Sequence, residues 1–528
     1  MSDPGIGFTV HNVIRRAATL CPETEIVWEN RRISYGEAYN RVVSLADSLL
    51  SLGIRKGTVI GVADWNTLPM FELHYAAAMI GAIIYPVNIR LPLDQMAHTM
   101  KVAEVEWLFY SNDFKALSTL ISKDRTVGLS PECNAKYCYN DLLSNKTIEE
   151  PEVEVTGRDY FSILFTSGTT GLPKAVRYTH EKFVHGALAI AYQLGMYNTP
   201  ASLHQGDVIM PLIPFYHIHS WGGSLIHAPY LCNKYVLIGR FMPDRALTLI
   251  ETEKVTWISA VPTMMYMLID AAEKMNKLYV LRGLKALVGG MPIASGLAKR
   301  MQELSIGFST IYGGTDMLVT SISIAPRKYN SIDEFLDYMR LTTHPVPFVE
   351  IRIIDPATGK DVSPGQIGEV WLRAPWLPYE YYKDAEKTRE SYVGSWFRTG
   401  DVGVLLSDGG LRVLDRIKDV IKSGGEWIPT SILEAIISNI PGIDMVAVIG
   451  KPSERWGGER PIAVIKLREG YVLTKEQIYE VLNREVDSGR IPKWWMPDDI
   501  IFVNEIPLTS TGKIDKKELK KNVLGHGY

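Results

Sequence analysis

The sequence predicts an α/β protein followed by a small α+β domain. Two observations carry this: buried apolar runs alternate with amphipathic runs over the first 350 residues, and that alternation then gives way to short strands and turns. Ser34 and Glu37 read as a capping box that opens an amphipathic helix ending at Gly53. TVIGVADWN then reads as a buried strand with its exit turn, FELHYAAAMIGA as a helix and IIYPVN as the next strand. The same alternation recurs at YVLIGR, VTWISAVP and LKALVGG. Beyond residue 350, IRIIDPATGKDVSPGQIGEVWLRAP reads as strands joined by Asp/Pro/Gly turns. LRVLDRIKDVIKSGGEWI sets a charged cluster between short apolar strands, and IDMVAVIG and PIAVIKL are further strands. TKEQIYEVLNREV is a helix with its own capping box, Thr474 to Gln477. These elements suffice for a separate C-terminal domain. Its boundary is expected at Asp415–Lys418, giving domains 1–415 and 416–528.

Composition narrows the function classes. The 528 residues exceed one ordinary domain, and 46% hydrophobic with 22% charged residues describes a globular chain. A net charge of −3 offers no nucleic-acid surface. Cys21, Cys133, Cys138 and Cys232 form neither a disulfide framework nor a zinc-ligand spacing, which fits a reducing compartment. MSDPGIGFTV lacks the basic and apolar regions of a signal peptide. No apolar stretch reaches the roughly 18 residues that span a membrane. A cytoplasmic protein is expected, with room for a homodimer.

FTSGTTGLPKA, residues 165–175, is the first chemical signal. It follows the buried strand DYFSILF, at a strand end where α/β sheets place ligands. Glycines let backbone N–H groups approach an anion, hydroxyls add donors, and Lys174 adds charge. A Walker loop needs four residues between its glycines and a Gly-Lys-Ser/Thr ending. This loop has neither, so a kinase or P-loop NTPase is disfavoured. Without further context an ordinary Gly/Thr surface turn remains open.

TSGTTGLPK resembles the signature loop of the adenylate-forming superfamily, which holds acyl-CoA synthetases, luciferases and peptide-synthetase adenylation domains. Further landmarks resemble it in order: GGMP at 289–292, IYGGTD at 311–316, GEVWLRAP at 368–375 with the later YY and T, RTGD at 398–401, DRIKDVIKSGGEWI at 415–428, and PLTSTGKIDKKEL at 507–519. The resemblance implies a large N-terminal domain of parallel βαβ sheets plus a β-barrel-like subdomain, with a small mobile C-terminal domain. It implies an acid–thiol ligase using ATP, Mg²⁺ and coenzyme A. A carboxylate is joined to the α-phosphate of ATP, and a thiol then displaces AMP.

The resemblance assigns roles residue by residue. Thr166, Ser167, Gly168, Thr169, Thr170, Gly171 and Lys174 hold phosphates. Gly289 and Gly290 lie on the adenine side. Tyr312 stacks on adenine, with Gly313 and Gly314 allowing close backbone approach. Asp401 and Arg416 contact the ribose. Lys513 reaches the α-phosphate and the carboxylate, although on charge pattern alone it is one lysine of the solvated run KIDKKELKK. Thr315 joins Lys513 and His217 as the catalytic set. Asp316 stands where the family has Glu; as a hard oxygen donor one methylene shorter, it is the expected Mg²⁺ ligand. Lys418 is the hinge. Lys422, Ser423, Gly424, Gly425 and Trp427 line the coenzyme A path.

PFYHIHSWGG, 214–223, resembles the acyl-site segment of medium- and long-chain fatty acyl-CoA synthetases and their short-chain relatives. It places His217 by the reacting carboxylate and makes Trp221 the gate of the acyl tunnel. Packing alone would also account for the aromatics. Relative to H-V-N-A-W-G, Asn has become His219 and Ala has become Ser220. With His217, Trp221 and Gly314 these form the expected acyl pocket. Buried polar groups there need a polar partner, so the expected acid is short or medium in chain and admits a hydroxyl. The alternatives are a long-chain fatty-acid ligase and a catalytically silent nucleotide-binding homologue.

Overall fold

The computed structural model describes residues 8–144, 149–166, 172–197, 199–423, 426–453, 458–507 and 514–525. The chain divides into two compact units: residues 1–293, 297–350 and 373–395 form the first, and 294–296, 351–372 and 396–528 the second. The boundary expected at 415/416 falls within the second.

The first unit holds two largely parallel sheets. In one, Val59–Ala63 lies between Ile83–Pro86 and Trp107–Tyr110, with Tyr160–Phe165 alongside and Ala175–Thr179 closing the edge antiparallel. In the other, Val208–Pro211, Trp257–Ala260, Lys285–Gly289 and Gly307–Tyr312 run side by side in parallel. Their residues are apolar almost without a break, as strands covered on both faces must be. The helix Leu68–Met79 is buried on every side, which matches a sequence apolar all round. It carries Glu72 fully inside, where Arg41 Nη2 donates at 3.1 Å, Arg41 Nε donates at 2.5 Å and the Tyr139 hydroxyl also donates. An unpaired carboxylate there would be costly.

In the second unit, Gly368–Arg373, Trp396–Leu405 and Leu411–Arg416 form an antiparallel meander. Ile443–Ser453 and Gly458–Leu467 pair antiparallel, and Asp499–Phe502 joins the latter in parallel. Alternation along the first of these strands is strict. Val446 and Val448 enter a core shared with Leu433 and Ile478, whereas Ala447 and Ile449 enter one shared with Leu519. Helices therefore cover both faces. Thr474 and Gln477 make both bonds of the expected capping box, and the Ser34 hydroxyl accepts the Glu37 N–H.

One expectation is overturned. Cys21 and Cys232 form a disulfide across 211 residues of sequence, leaving Cys133 and Cys138 free. Cys21 ends the helix His11–Leu20 and Cys232 follows Leu225–Tyr230, and these two helices pack together. Cysteine usage therefore no longer argues for a reducing compartment. No helix of the described residues is long and apolar enough to cross a membrane.

A bridge closing so long a loop is expected to stabilise by about 2–4 kcal/mol. Cys232→Ser should lower the melting temperature under non-reducing conditions and leave it unchanged relative to the parent in excess dithiothreitol. Equal melting temperatures without reductant would show the bridge to be open in solution.

Candidate active site

Parallel strands end at a common edge, and that edge collects the predicted nucleotide segments. Lys285–Gly289 and Gly307–Tyr312 pair in register, Gly289 opposite Ile311, so the two glycine-rich exits emerge together. A Cβ on Gly289 would stand 2.8 Å from Ile311 and 3.2 Å from His219 Nδ1; one on Gly313 would stand 2.6 Å from the Leu318 carbonyl. Tyr312, partly buried at its strand end, is anchored through its carbonyl by the Thr320 N–H and hydroxyl.

The turn that follows is held by tyrosines. Tyr178 donates to the Thr315 carbonyl at 2.8 Å, and Tyr381 donates to Asp316 Oδ2 at 2.5 Å. Burial and the Asp316 charge push the Tyr381 hydroxyl well above its ordinary range, so it remains a donor. A Cβ on Gly314 would stand 3.2 Å from the other carboxylate oxygen, Oδ1. Among the described residues no three His, Cys, Asp or Glu side chains gather into a metal cluster. A single carboxylate suits Mg²⁺, which takes the rest of its shell from waters and substrate phosphates.

The strands Tyr160–Phe165 and Ala175–Thr179 that flank the predicted phosphate loop pair antiparallel. The neck is closed by Thr166 N–H to Lys174 carbonyl at 2.9 Å and Lys174 N–H to Thr166 Oγ1 at 3.3 Å. Ser167, Gly168, Thr169, Thr170 and Gly171 lie outside the described residues. Lys174 Nζ pairs with Asp384 at 2.6 Å and holds that carboxyl below its usual range. Asp384 also caps the helix Ala385–Ser391. Tyr381 is the first residue of the YY pair noted in the sequence, without a role assigned to it; Asp384, two residues after that pair, was not singled out.

Beside the predicted acyl segment 214–223, a cavity of about 10 Å³ lies against the face of the second sheet. Ile190, Trp257 and Leu287 form its apolar wall; His219, Ser224, His227 and Ser259 form its polar one. A π-helical turn over Ser220–Ser224 makes this arrangement. Its wide i→i+5 bond, Leu225 N–H to Ser220 carbonyl, shifts the residues that follow relative to an α-helix. His219 lines this cavity. Ser220 does not: it is buried with its Oγ 3.4 Å from Ser259 Oγ, and Ser224 takes the lining position. Gly314 is likewise not part of the wall, lying instead against Asp316 and Met317.

Trp221, expected as the gate of the acyl tunnel, lies in the core of this structure. It is fully buried, donates to Ser162 Oγ at 3.0 Å and packs on His74 and Phe161. His217 stands at the entrance to this segment with its ring against Tyr216 and its carbonyl accepting the Ser220 and Trp221 N–H groups.

In the second unit, Asp401 and Arg416 face each other on antiparallel strands, and Arg416 Nε donates to Asp401 Oδ1 at 2.8 Å. Asp401 is buried while Arg416 is half exposed. Lys418 is exposed in the turn after Arg416, whose carbonyl accepts the Asp419 and Val420 N–H groups. Ile421–Ser423 and Glu426–Ile428 form a hairpin with Lys422 opposite Trp427, the Lys422 ammonium 5.2 Å from the indole. Ser423 is buried beside Arg460 and is thus a packing residue rather than an open wall of a path. Gly424, Gly425 and Lys513 lie outside the described residues.

These landmarks define a class. Residues 14–382 match the AMP-binding enzyme family and residues 433–513 match the AMP-binding enzyme C-terminal domain. The chain belongs to the AMP-binding enzyme family. It is 32% identical to the long-chain-fatty-acid–CoA ligase of Thermus thermophilus, over 97% of this chain and 95% of that protein. It is 29% identical to 3-methylmercaptopropionyl-CoA ligase of Ruegeria lacuscaerulensis, over 97% and 96%. Its fold resembles the o-succinylbenzoate CoA synthetase of Bacillus subtilis solved with ATP and magnesium, with a TM-score of 0.80, 22% identity and 96% and 99% coverage.

Buried rings give the first unit an acid limit. Burial lowers His11 and His227 to about 4 and His180 and His219 to about 3, and drops His74 well below its ordinary 6.5. The unfolded chain binds protons at these rings near pH 6.5 while the folded one does not. Stability is therefore full above pH 6.5 and falls between pH 6.5 and about 4, by up to about 1.4 kcal/mol per pH unit per ring. Denaturant midpoints measured from pH 7.5 to 4.5 should decline through that window; a flat profile would mean that the rings are charged in the fold.

Proposed function

We propose that this protein activates a short- or medium-chain carboxylic acid and transfers it to coenzyme A. It is an AMP-forming acid–thiol ligase that uses ATP, Mg²⁺ and coenzyme A. A carboxylate oxygen bonds to the α-phosphorus as pyrophosphate leaves. The thiol sulfur then bonds to the acyl carbon, AMP leaves, and the thiol proton passes to solvent.

The observation that carries the reading is the meeting of the Gly289 exit, the Tyr312–Asp316 turn and the His219-lined cavity at one sheet edge. Tyr312 supports adenine stacking there, and Asp316 would hold Mg²⁺, whose charge offsets the phosphates when bound. The Asp401–Arg416 pair offers a carboxylate and a guanidinium to ribose hydroxyls. Two anionic reactants must meet, so cationic and N–H groups around the phosphorus dominate the barrier. Lys174, the 166–171 loop and Lys513 supply them. Lys174 exchanges Asp384 for phosphate in that role.

The two named ligase relatives act on different acids, so membership leaves the acid open. The polar groups of the cavity wall, His219, Ser224, His227 and Ser259, suit a long alkyl chain poorly, which supports the short or medium range. After adenylation the C-terminal domain, 416–528, turns about Lys418 and brings the Lys422–Trp427 hairpin to the thiol path.

Pyrophosphate release with ATP, Mg²⁺ and a panel of acids tests the whole reading. Lys513→Ala should cut adenylation by about 10²–10³-fold while sparing thioester formation from supplied acyl-adenylate. Equal losses in both half-reactions would remove the division of labour. Lys418→Pro fixes φ at the hinge, so adenylation should persist while transfer to coenzyme A fails. Survival of both steps would place the hinge elsewhere.

A further inference from the structure

The cavity behind the sheet edge has a chemical polarity that the ligase reading does not use. His227 is fully buried, and its Nε2 lies 2.8 Å from the Ala187 carbonyl. A carbonyl only accepts, so Nε2 carries the proton. Burial keeps the ring neutral, which leaves Nδ1 a bare acceptor. That nitrogen is sealed from solvent and has no hydrogen-bond partner among the described residues. It faces the Gly223 side of the cavity, where a Cβ would come within 3.9 Å of it. His219, on the same cavity, likewise buries an unpartnered Nε2. The hydroxyl-bearing residues Ser224 and Ser259 complete the polar wall.

Buried polar atoms are almost always paired, so two unpaired ring nitrogens on one cavity point to a ligand group. That group must donate a hydrogen bond to His227 Nδ1 and be small. Its distance along the acid is also constrained. On the ligase reading the carboxylate reacts at the strand-end edge marked by Gly289, whereas Trp257, which lines the cavity with His227, pairs with Lys285 at the opposite end of the same ladder. We propose that His227, with His219, is the specificity-determining pair that binds the terminal hydroxyl of a short ω-hydroxy acid. This rests on the ligase reading above and names its substrate class. The hydroxyl donates to His227 Nδ1 and accepts from His219 Nε2–H. A plain alkyl acid of equal length leaves both nitrogens unpaired, and sites built around such bonds reject analogues that lack them.

The test is kcat/KM for pyrophosphate release with matched pairs, 3-hydroxypropionate against propionate and 4-hydroxybutyrate against butyrate. In the wild-type protein the hydroxy acid of at least one pair should be favoured by about tenfold or more. His227→Gln retains an N–H₂ group toward Ala187 but not the ring acceptor. It should bring that ratio toward one, chiefly through a loss of kcat/KM with the hydroxy acid. His227→Asn, whose amide oxygen reaches the Nδ1 position, should restore part of the preference. A wild-type ratio at or below one in both pairs would overturn the proposal and leave the cavity to a bound water. So would a ratio unchanged in His227→Gln. The wild-type ratio decides alone if the variants do not fold. Activity with plain acids only sinks this inference and spares the ligase reading; no pyrophosphate with any acid sinks both.

Discussion

Close approach at the ends of two parallel strands is the constraint on which the site depends. Gly289 and Ile311 are direct neighbours in the ladder, and the chain beyond each must turn immediately over the sheet edge. Any side chain at Gly289 would push on Ile311 and on the His219 ring together. A side chain at Gly313 would collide with the Leu318 carbonyl and open the turn that presents Asp316. The Gly289 exit, the turn that carries Asp316 and the His219 side of the cavity are thus all held by close approaches that a Cβ would break. Parallel topology supplies the shared edge; missing Cβ atoms let it close.

Most of the fold was legible because strand and helix periods report which face is buried. The alternating βαβ runs, the Thr474–Gln477 box and the period-2 split of Val446 and Ala447 between two cores all follow from local pattern. Partners were not legible, because periodicity is blind to what a face meets. Cys21 and Cys232 are brought together by helix packing across 211 residues. Lys174 reads as a free phosphate-binding cation until Asp384 is placed beside it, and Asp316 as a bare ligand until Tyr381 is.

The acyl segment shows a subtler limit. HIHSWGGS was read residue by residue, with His219 and Ser220 as neighbouring pocket residues. The π-helical turn breaks that expectation by adding one residue to a turn. Ser220 and Trp221 rotate into the core, while Ser224 moves onto the face of His219. Two adjacent glycines, Gly222 and Gly223, sit inside the turn. They were visible in the sequence, but glycine alone does not reveal which helical period the backbone adopts.

The proposed rotation about Lys418 also has a definite local cost. Asp415, just before the hinge, accepts the Thr430 N–H at 2.8 Å and the Thr430 hydroxyl at 2.5 Å, and so caps the helix Thr430–Ser438 from outside its own segment. The Ser431 hydroxyl donates to the neighbouring Leu414 carbonyl. Lys516 reaches the same Thr430 hydroxyl and pairs with Glu434 at 2.7 Å. Lys516, Glu434 and Thr430 travel together in a rotation at Lys418, but Asp415 and Leu414 stay behind. Among the described residues the bonds lost include the Asp415 cap, which takes the Thr430 N–H and hydroxyl and the Ser431 N–H, and the Ser431 hydroxyl contact to Leu414; the cap is of the order of 1–2 kcal/mol. That is small against the stability of either core and comparable to a tenfold shift in population. A clasp of this size holds one orientation without locking it, which is what an enzyme alternating between two half-reactions requires of its hinge.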